Sequence, residues 1–289
     1  MSPPNRGEVS IAGGNRSGSG RVYCSGAYLV DVPTQQARGA EPVTNFMETL
    51  MNSHDDISSK DVEALRRFDS CTLSNAIELL NLRPRNEGYM RGHVAPCTFA
   101  RIPPVAGFAV TGKIRAASQP VDGHYYYDHL KWWRYVASVP PPRIIVMLDA
   151  DEPAGAGALF GELHAHICTA LSCVAYISNG AVRDVHAIER LGFQLFAGST
   201  SVSHAYAHVV DFGHEIELGG LKIQSGDLLH GDANGVLSVP REAVKKLPAL
   251  ATQVLNGEHR LIRMSLDANF SIERFAAEIQ EHAEAQECK

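Results

Sequence analysis

The chain has 289 residues, 45% hydrophobic and 20% charged, the balance of an ordinary globular protein able to bury a core without disulfide or metal staples. Lys plus Arg number 26 against 32 Asp plus Glu, a net charge of −6, which argues against nucleic acid as a partner because phosphate binding needs a basic stripe. No apolar run approaches the ~20 residues of a membrane helix, and the opening MSPPNRGEVS lacks a secretory pattern, so a cytoplasmic protein is expected.

Residues 1–43 are rich in Gly, Ser, Pro, Asn and Arg and read as a disordered or loosely packed arm, with a short strand possible over Val22–Val32. Residues 44–289 read as a single α/β domain. NFMETLMN has a short helical pattern, and a second helix opens at Ser59 and runs to Phe68. Ser70 or Thr72 is the expected cap of the next, where Leu73, Ala76, Ile77 and Leu80 recur at helical spacing. After Pro103-Pro104, GFAVTGKIRA alternates as a strand, with Phe108, Val110, Gly112 and Ile114 on one side. DGHYYYDHLKWWRYVASV reads as a helix anchored by aromatic residues, stopped by Pro140-Pro141-Pro142, and RIIVMLD as a buried strand.

The centre then repeats strand, loop and helix, the pattern of βαβ units and a parallel sheet. ADEPAGAGALFGE is a loop into a helix with Leu163, Ile167 and Leu171 on one face; CVAYIS is a strand, NGAVRD a turn, VHAIERLG a helix and QLFAG a strand. From Tyr206 short strands alternate with turn dipeptides, Lys222 falling in one of the hairpin strands. A helix is expected from Pro240, and a last one over Ser271–Ala285. The six cysteines form no C-x-x-C, and Cys168 and Cys173 lie in apolar surroundings, as buried thiols of a reducing compartment do.

In a parallel sheet, ligands bind outside the carboxyl ends of the strands. That rule places Glu162 and the N–H groups of Leu163 and His164 at the end of RIIVMLD, and Arg183 and Asp184 at the end of CVAYIS, in one crevice. Unpaired helix N–H groups and a guanidinium fork suit a carboxylate, and an aspartate suits Mg²⁺ or Mn²⁺. The same residues also read as a helix cap, a surface arginine and a first-turn acid. His204, Tyr206 and His208 alternate and would share a strand face, as metal or cleft residues or as a satisfied polar strand. Asp227 and Asp232 read first as turn residues, and no lysine is placed for a Schiff base.

The stretch GELHAHICTALSCVAYISNGAVRDVHAIERLGFQLFAG resembles the signature of the RraA-like family, and the likeness continues through SVSHAYAHVVDFGHEIELGGLKIQSGDLLHGDANGVLSVP and back to FDSCTLSNAIELL, about residues 60–265. That family includes the regulator of ribonuclease E activity A and the class II 4-hydroxy-4-methyl-2-oxoglutarate/4-carboxy-4-hydroxy-2-oxoadipate aldolases. The resemblance implies a swivelling β/β/α domain with a central parallel or mixed sheet, a β-rich layer and helices at both ends. It also implies a homotrimer or hexamer with the cleft between subunits. In the aldolase branch it implies Mg²⁺ or Mn²⁺ on Asp184, with Glu162 contacting metal-bound water. A pyruvate carboxylate would lie on Arg183 and on the amides of Leu163 and His164 after Gly161. Asp232 matches a family aspartate near the cleft. The expected activity is aldol cleavage of a 4-hydroxy-2-oxo acid, or decarboxylation of oxaloacetate, through a pyruvate enolate.

One position departs from the aldolase pattern, Arg-Asp-x-x-Glu/Asp: the third residue after Asp184 is Ala187. A helix carries that position ~300° round from Asp184, on nearly the same face, whereas Glu189 at ~500° points away. Glu162, His164 or an acid from a neighbouring subunit would have to supply the missing charge. Otherwise the chain is a non-catalytic protein-binding regulator, or the same scaffold acts on an unrelated small acid.

Overall fold

The computed structural model describes residues 57–120 and 129–287. The arm over 1–43, the strand at Val22–Val32, the NFMETLMN helix and the tyrosine run 125–127 lie outside the described residues.

Two short helices come first. Ser58 caps α1 (Ser59–Leu65) in a capping box: its hydroxyl accepts from the Asp61 N–H, and the Asp61 carboxylate accepts from the Ser58 N–H at 2.8 Å. The cap of α2 (Ser70–Glu78) is Asp69 rather than Ser70 or Thr72. Its carboxylate accepts from the Thr72 N–H at 2.8 Å, and an ionised cap also complements the positive end of the helix dipole. Leu73, Ala76 and Ile77 are buried, as their spacing predicts.

The sheet is built outward from β1 (Val105–Arg115). One edge of β1 pairs in parallel with β2 (Arg143–Asp149). The other edge pairs antiparallel, first with β9 (Leu228–Asp232) and then with β6 (His208–Phe212). Beyond β2 lie β4 (Cys173–Val182) and β5 (Gln194–Thr200), both parallel, and β10 (Gly235–Ser238) extends the far side on β9. The βαβ half and the all-β half of the sequence therefore share one mixed sheet. A second, two-stranded sheet is the hairpin β7 (Ile216–Leu218) and β8 (Leu221–Ile223), turned by Gly219 and Gly220, both at positive φ.

Both faces of the mixed sheet are covered. Ile145, Met147 and Tyr176 pack toward α1, α2 and α3 (His129–Ser138), while Ile144, Val146, Ala175 and Ile177 pack with Phe196 and the β7–β8 hairpin. The expected one-sided alternation of β1 fails for this reason. Its residues 105–112 are buried on both sides, including Thr111, whose hydroxyl donates to the His214 carbonyl at 2.8 Å. Arg143, buried at the start of β2, donates to the carbonyls of Ala137, Val139 and Leu171. One guanidinium thus satisfies the carbonyl ends of α3 and of α4 (Glu162–Ala170), each of which would otherwise be an orphan acceptor.

Two helix boundaries differ from the sequence reading. Pro240 opens only a 3₁₀ turn, Arg241–Ala243, and the long helix α6 runs Leu247–Ser265 with Pro248 in its first turn, where the missing N–H costs nothing. The last helix, α7, covers Ile272–Glu287.

Candidate functional site

The end of the sheet differs from the sequence reading in two places. A three-residue strand, β3 (Ala158–Phe160), lies inside the expected loop and pairs in parallel with the last residues of β4. Gly161 and Glu162 therefore follow β3, not β2. NGAV is not a turn: β4 shifts register between Ser178 and Ala181 and runs on to Val182. These corrections keep the expected convergence and tighten it. The Arg183 N–H donates to the Phe160 carbonyl at 2.9 Å, locking the ends of β3 and β4 together.

Asp184 occupies the cap position of α5 (Val185–Arg190), where its carbonyl accepts from the Ala187 and Ile188 N–H groups but its side chain caps nothing. Its backbone is left-handed, with φ 55°, a conformation tolerated best by Gly, Asn and Asp. Its Oδ2 instead accepts from the Glu162 N–H at 3.2 Å, at the start of α4. The carboxylate thus lies at the positive end of a helix other than its own. The same oxygen meets Arg183 Nε at 3.3 Å, in a pair about one-third exposed on each side. Arg183 Nη1 and Nη2, and Asp184 Oδ1, have no hydrogen bond or ion pair among the described residues. Gly161, the cap residue of α4, lies so close that an added Cβ would fall 2.7 Å from Asp184 Oδ2 and 2.9 Å from Arg183 Cγ. Its backbone is extended and suits any residue, so glycine is required by proximity alone.

The remaining sequence candidates are distributed around the fold. Leu163 does not share a buried face with Ile167: it is 64% exposed, and Ala165 and Cys168 face the core instead. The His164 ring packs between Trp133 and Phe160, with centroids 5.8 and 6.1 Å away. His204 and Tyr206 do not share a strand face with His208, because a turn at Ala205, itself at positive φ, separates them from β6. His204 Nδ1 instead contacts the Ala158 carbonyl at 2.8 Å, while the Ala158 N–H donates to the Ser203 carbonyl, so this segment secures β3. His208 is buried, its Nδ1 2.7 Å from the Tyr206 carbonyl.

Asp232 is also buried, and accepts from the Ser70 N–H and hydroxyl, both at 2.6 Å, and from the Asn234 N–H at 2.8 Å. The antiparallel register of β9 on β1 sets Gly231 opposite Val105, which places Asp232 at the opposite end of the sheet from Arg183 and Asp184. Sequence reasoning missed the buried Asp149 at the end of β2. It accepts from the Gly155 N–H at 2.7 Å and the Asp151 N–H at 3.1 Å, and so shapes the loop into β3. A short acid-and-glycine run after a strand was the available signal.

The donor set limits what metal the site can hold. Among the described residues no three His, Cys, Asp or Glu side chains gather as a ligand cage. A partly exposed aspartate whose Oδ1 has no protein partner fits a hydrated hard cation held at one point, which is how Mg²⁺ commonly binds, with waters and substrate oxygens completing its shell.

The mixed sheet thus brings a helix N-terminus, an arginine and an aspartate together beyond the ends of its parallel strands. The RraA-like family (Aldolase/RraA) matches residues 70–238, and the chain belongs to this family. A Halalkalibacterium halodurans protein, provisionally named a 4-hydroxy-4-methyl-2-oxoglutarate aldolase, is 29% identical over 101 residues, 35% of this chain and 48% of that protein. The match thus spans about half the length of that curated relative. An uncharacterised Pseudomonas syringae pv. tomato protein superposes with a TM-score of 0.60 at 20% identity, covering 78% of this chain and 96% of its own. Streptomyces coelicolor RraAS2, described as an unusual member of the RNase ES inhibitor RraA family, gives 0.57 at 19%, covering 71% and 96%. Both show the same fold. Among the described residues no helix is long and apolar enough to cross a membrane.

Proposed function

We propose that this chain is a divalent-metal-dependent carbon–carbon lyase acting on a small 2-oxo acid. The observation that carries this reading is the shared oxygen of Asp184. One bond fixes it to the α4 N-terminus and another holds Arg183 by Nε. Both terminal nitrogens of the guanidinium remain available for a bidentate grip on a carboxylate.

Arg183 binds the substrate carboxylate, and the first-turn amides at the N-terminus of α4, those of Leu163 and His164, line its cradle. Asp184 would hold Mg²⁺ or Mn²⁺ through its remaining oxygen, and Glu162, exposed at the start of α4, would orient the water that moves the proton. The cation, when bound, supplies Lewis acidity toward the 2-oxo group. Arg183 adds a fixed positive charge where the enolate develops. A unit charge ~4 Å away is worth about 4 kcal/mol at an effective dielectric of ~20. If it acts only in the transition state, that is nearly three powers of ten in rate. Aldol cleavage of a 4-hydroxy-2-oxo acid and decarboxylation of oxaloacetate both leave this enolate, and neither requires a covalent nucleophile. The working assembly is a cytoplasmic homotrimer or hexamer with the cleft between subunits.

Ala187 favours a second reading, a non-catalytic protein-binding regulator, because the acid of the aldolase pattern is absent there. Calorimetry separates the two. Pyruvate binding strengthened by Mg²⁺ and lost in both Asp184→Ala and Arg183→Ala supports the lyase; binding indifferent to metal and to both changes refutes it.

A further inference from the structure

The first turn of α4 lines the proposed carboxylate cradle, yet its own side chains do little to hold it in place. Gly161, at the cap, has no side chain to bond to the turn, and Glu162 and Leu163 are exposed. The helix buries side chains only from Ala165 and Cys168 onward. Of residues 162–164, His164 alone is half-buried. Its ring lies between Phe160 of β3 and Trp133 of α3, with centroids 6.1 and 5.8 Å away.

The rings continue on both sides. Tyr176 of β4 stacks on Phe160 at 4.0 Å and Phe193 at 5.6 Å, while the buried Trp132 lies 6.2 Å from Trp133. Ring pairs spaced by about 4.5–7 Å attract one another beyond the area they bury. The space enclosed by these rings with Met147 and Cys168 is about 10 Å³, the least that admits one water, so the His164 ring has no room to swing away. Phe160 also joins the two halves of the cradle. Its carbonyl holds the Arg183 N–H at 2.9 Å, and its ring supports His164.

We propose that Trp133 is a positioning residue for the cradle, its ring holding the first turn of α4 in place through the ring of His164. The proposal rests on the lyase reading of that site. Trp133 acts through His164 and not on the substrate. It closes the outer side of the stack, where it is itself half-buried. Without it the His164 ring keeps Phe160 on one side only, and the turn is free to tilt. A shift of ~1 Å in groups that orient a substrate costs up to about a hundredfold in rate.

The test compares Trp133→Phe, which keeps an aromatic face, with Trp133→Leu, which keeps apolar cover without one. His164→Ala removes the second ring but keeps the amide and the helix. Hydrogen exchange over residues 161–168, read by mass spectrometry on the free protein, follows the turn itself: the Glu162 N–H is held by Asp184 and the Ala165 N–H by the Gly161 carbonyl. Calorimetry with pyruvate and Mg²⁺ follows the cradle. The expected result in Trp133→Leu and His164→Ala is exchange about fivefold faster over 161–168, with 173–182 unchanged. Pyruvate affinity should fall at least about tenfold in both, and both readouts should stay near wild type in Trp133→Phe. The double variant Trp133→Leu/His164→Ala should bind no more weakly than the worse single variant, because the two rings form one contact.

Wild-type exchange over 161–168 in Trp133→Leu overturns the proposal. Faster exchange with unchanged pyruvate affinity does so too, as does a double variant whose losses add. Should Trp133→Leu also speed exchange over 173–182, Trp133→Met, longer and equally without a ring, takes its place. If wild type binds no pyruvate, the lyase reading falls instead, and the exchange result decides alone whether Trp133 holds the turn.

Discussion

Asp184 stands at the cap of one helix and lends its carboxylate to another: Oδ2 accepts from the backbone N–H of Glu162, 22 residues earlier in the chain. A non-glycine residue held in the left-handed region costs on the order of 1 kcal/mol, and such strain persists where the surroundings fix it. Here they do. The Phe160 carbonyl holds the Arg183 N–H, and Gly161 leaves room for the carboxylate against the helix start.

Gly161→Ala tests that arrangement. The new Cβ would fall 2.7 Å from Asp184 Oδ2, so the carboxylate must leave its place while the extended backbone accepts alanine without strain. The expected outcome is a melting temperature within a few degrees of wild type and at least a tenfold loss of Mg²⁺-assisted pyruvate affinity, about 1.4 kcal/mol or more. Calorimetry beside a thermal melt checks both. Unchanged affinity would show that Asp184 need not sit at the α4 N-terminus.

His230 governs part of the acid response. It is fully buried in β9, and neither ring nitrogen makes a hydrogen bond among the described residues. Burial pushes its pKa down to about 4, against the opposing pull of Asp232, the Phe68 carbonyl, Asp69 and the Leu65 carbonyl. An unfolded histidine titrates near ~6.5, so between these values the unfolded chain binds a proton that the folded chain does not. This stability is present above ~6.5 and is lost as pH falls toward 4, by about 3 kcal/mol in all. In His230→Leu the urea midpoint should fall less between pH 7.5 and pH 5 than in wild type. Parallel losses in the two proteins would place the acid sensitivity elsewhere.

Much of this was legible in the sequence for identifiable physical reasons. Gly161, Glu162, Arg183 and Asp184 sit at strand-to-helix junctions, and the rule that parallel strands expose their carboxyl ends brings them together even though β3 went unread. That strand is three residues of Ala, Leu and Phe after a glycine-rich loop, too short to show a period. The strained backbone of Asp184 leaves no trace in composition. Asp232 reads as a turn residue because its partner, Ser70, lies 162 positions away. His204 and His208 alternate in sequence, but the turn at Ala205 breaks the strand that alternation assumes. The exposure of Leu163 was unreadable for a related cause: α4 turns its small residues, Ala165 and Cys168, to the sheet.

The most direct measurement is pyruvate release from oxaloacetate and from 4-hydroxy-4-methyl-2-oxoglutarate, with Mg²⁺ or Mn²⁺ and with chelator, set against Asp184→Ala as the blank for decarboxylation by free metal. The account predicts metal-dependent release above that blank from at least one substrate, abolished by chelator. Release equal to the blank on both, from a folded protein, would contradict it.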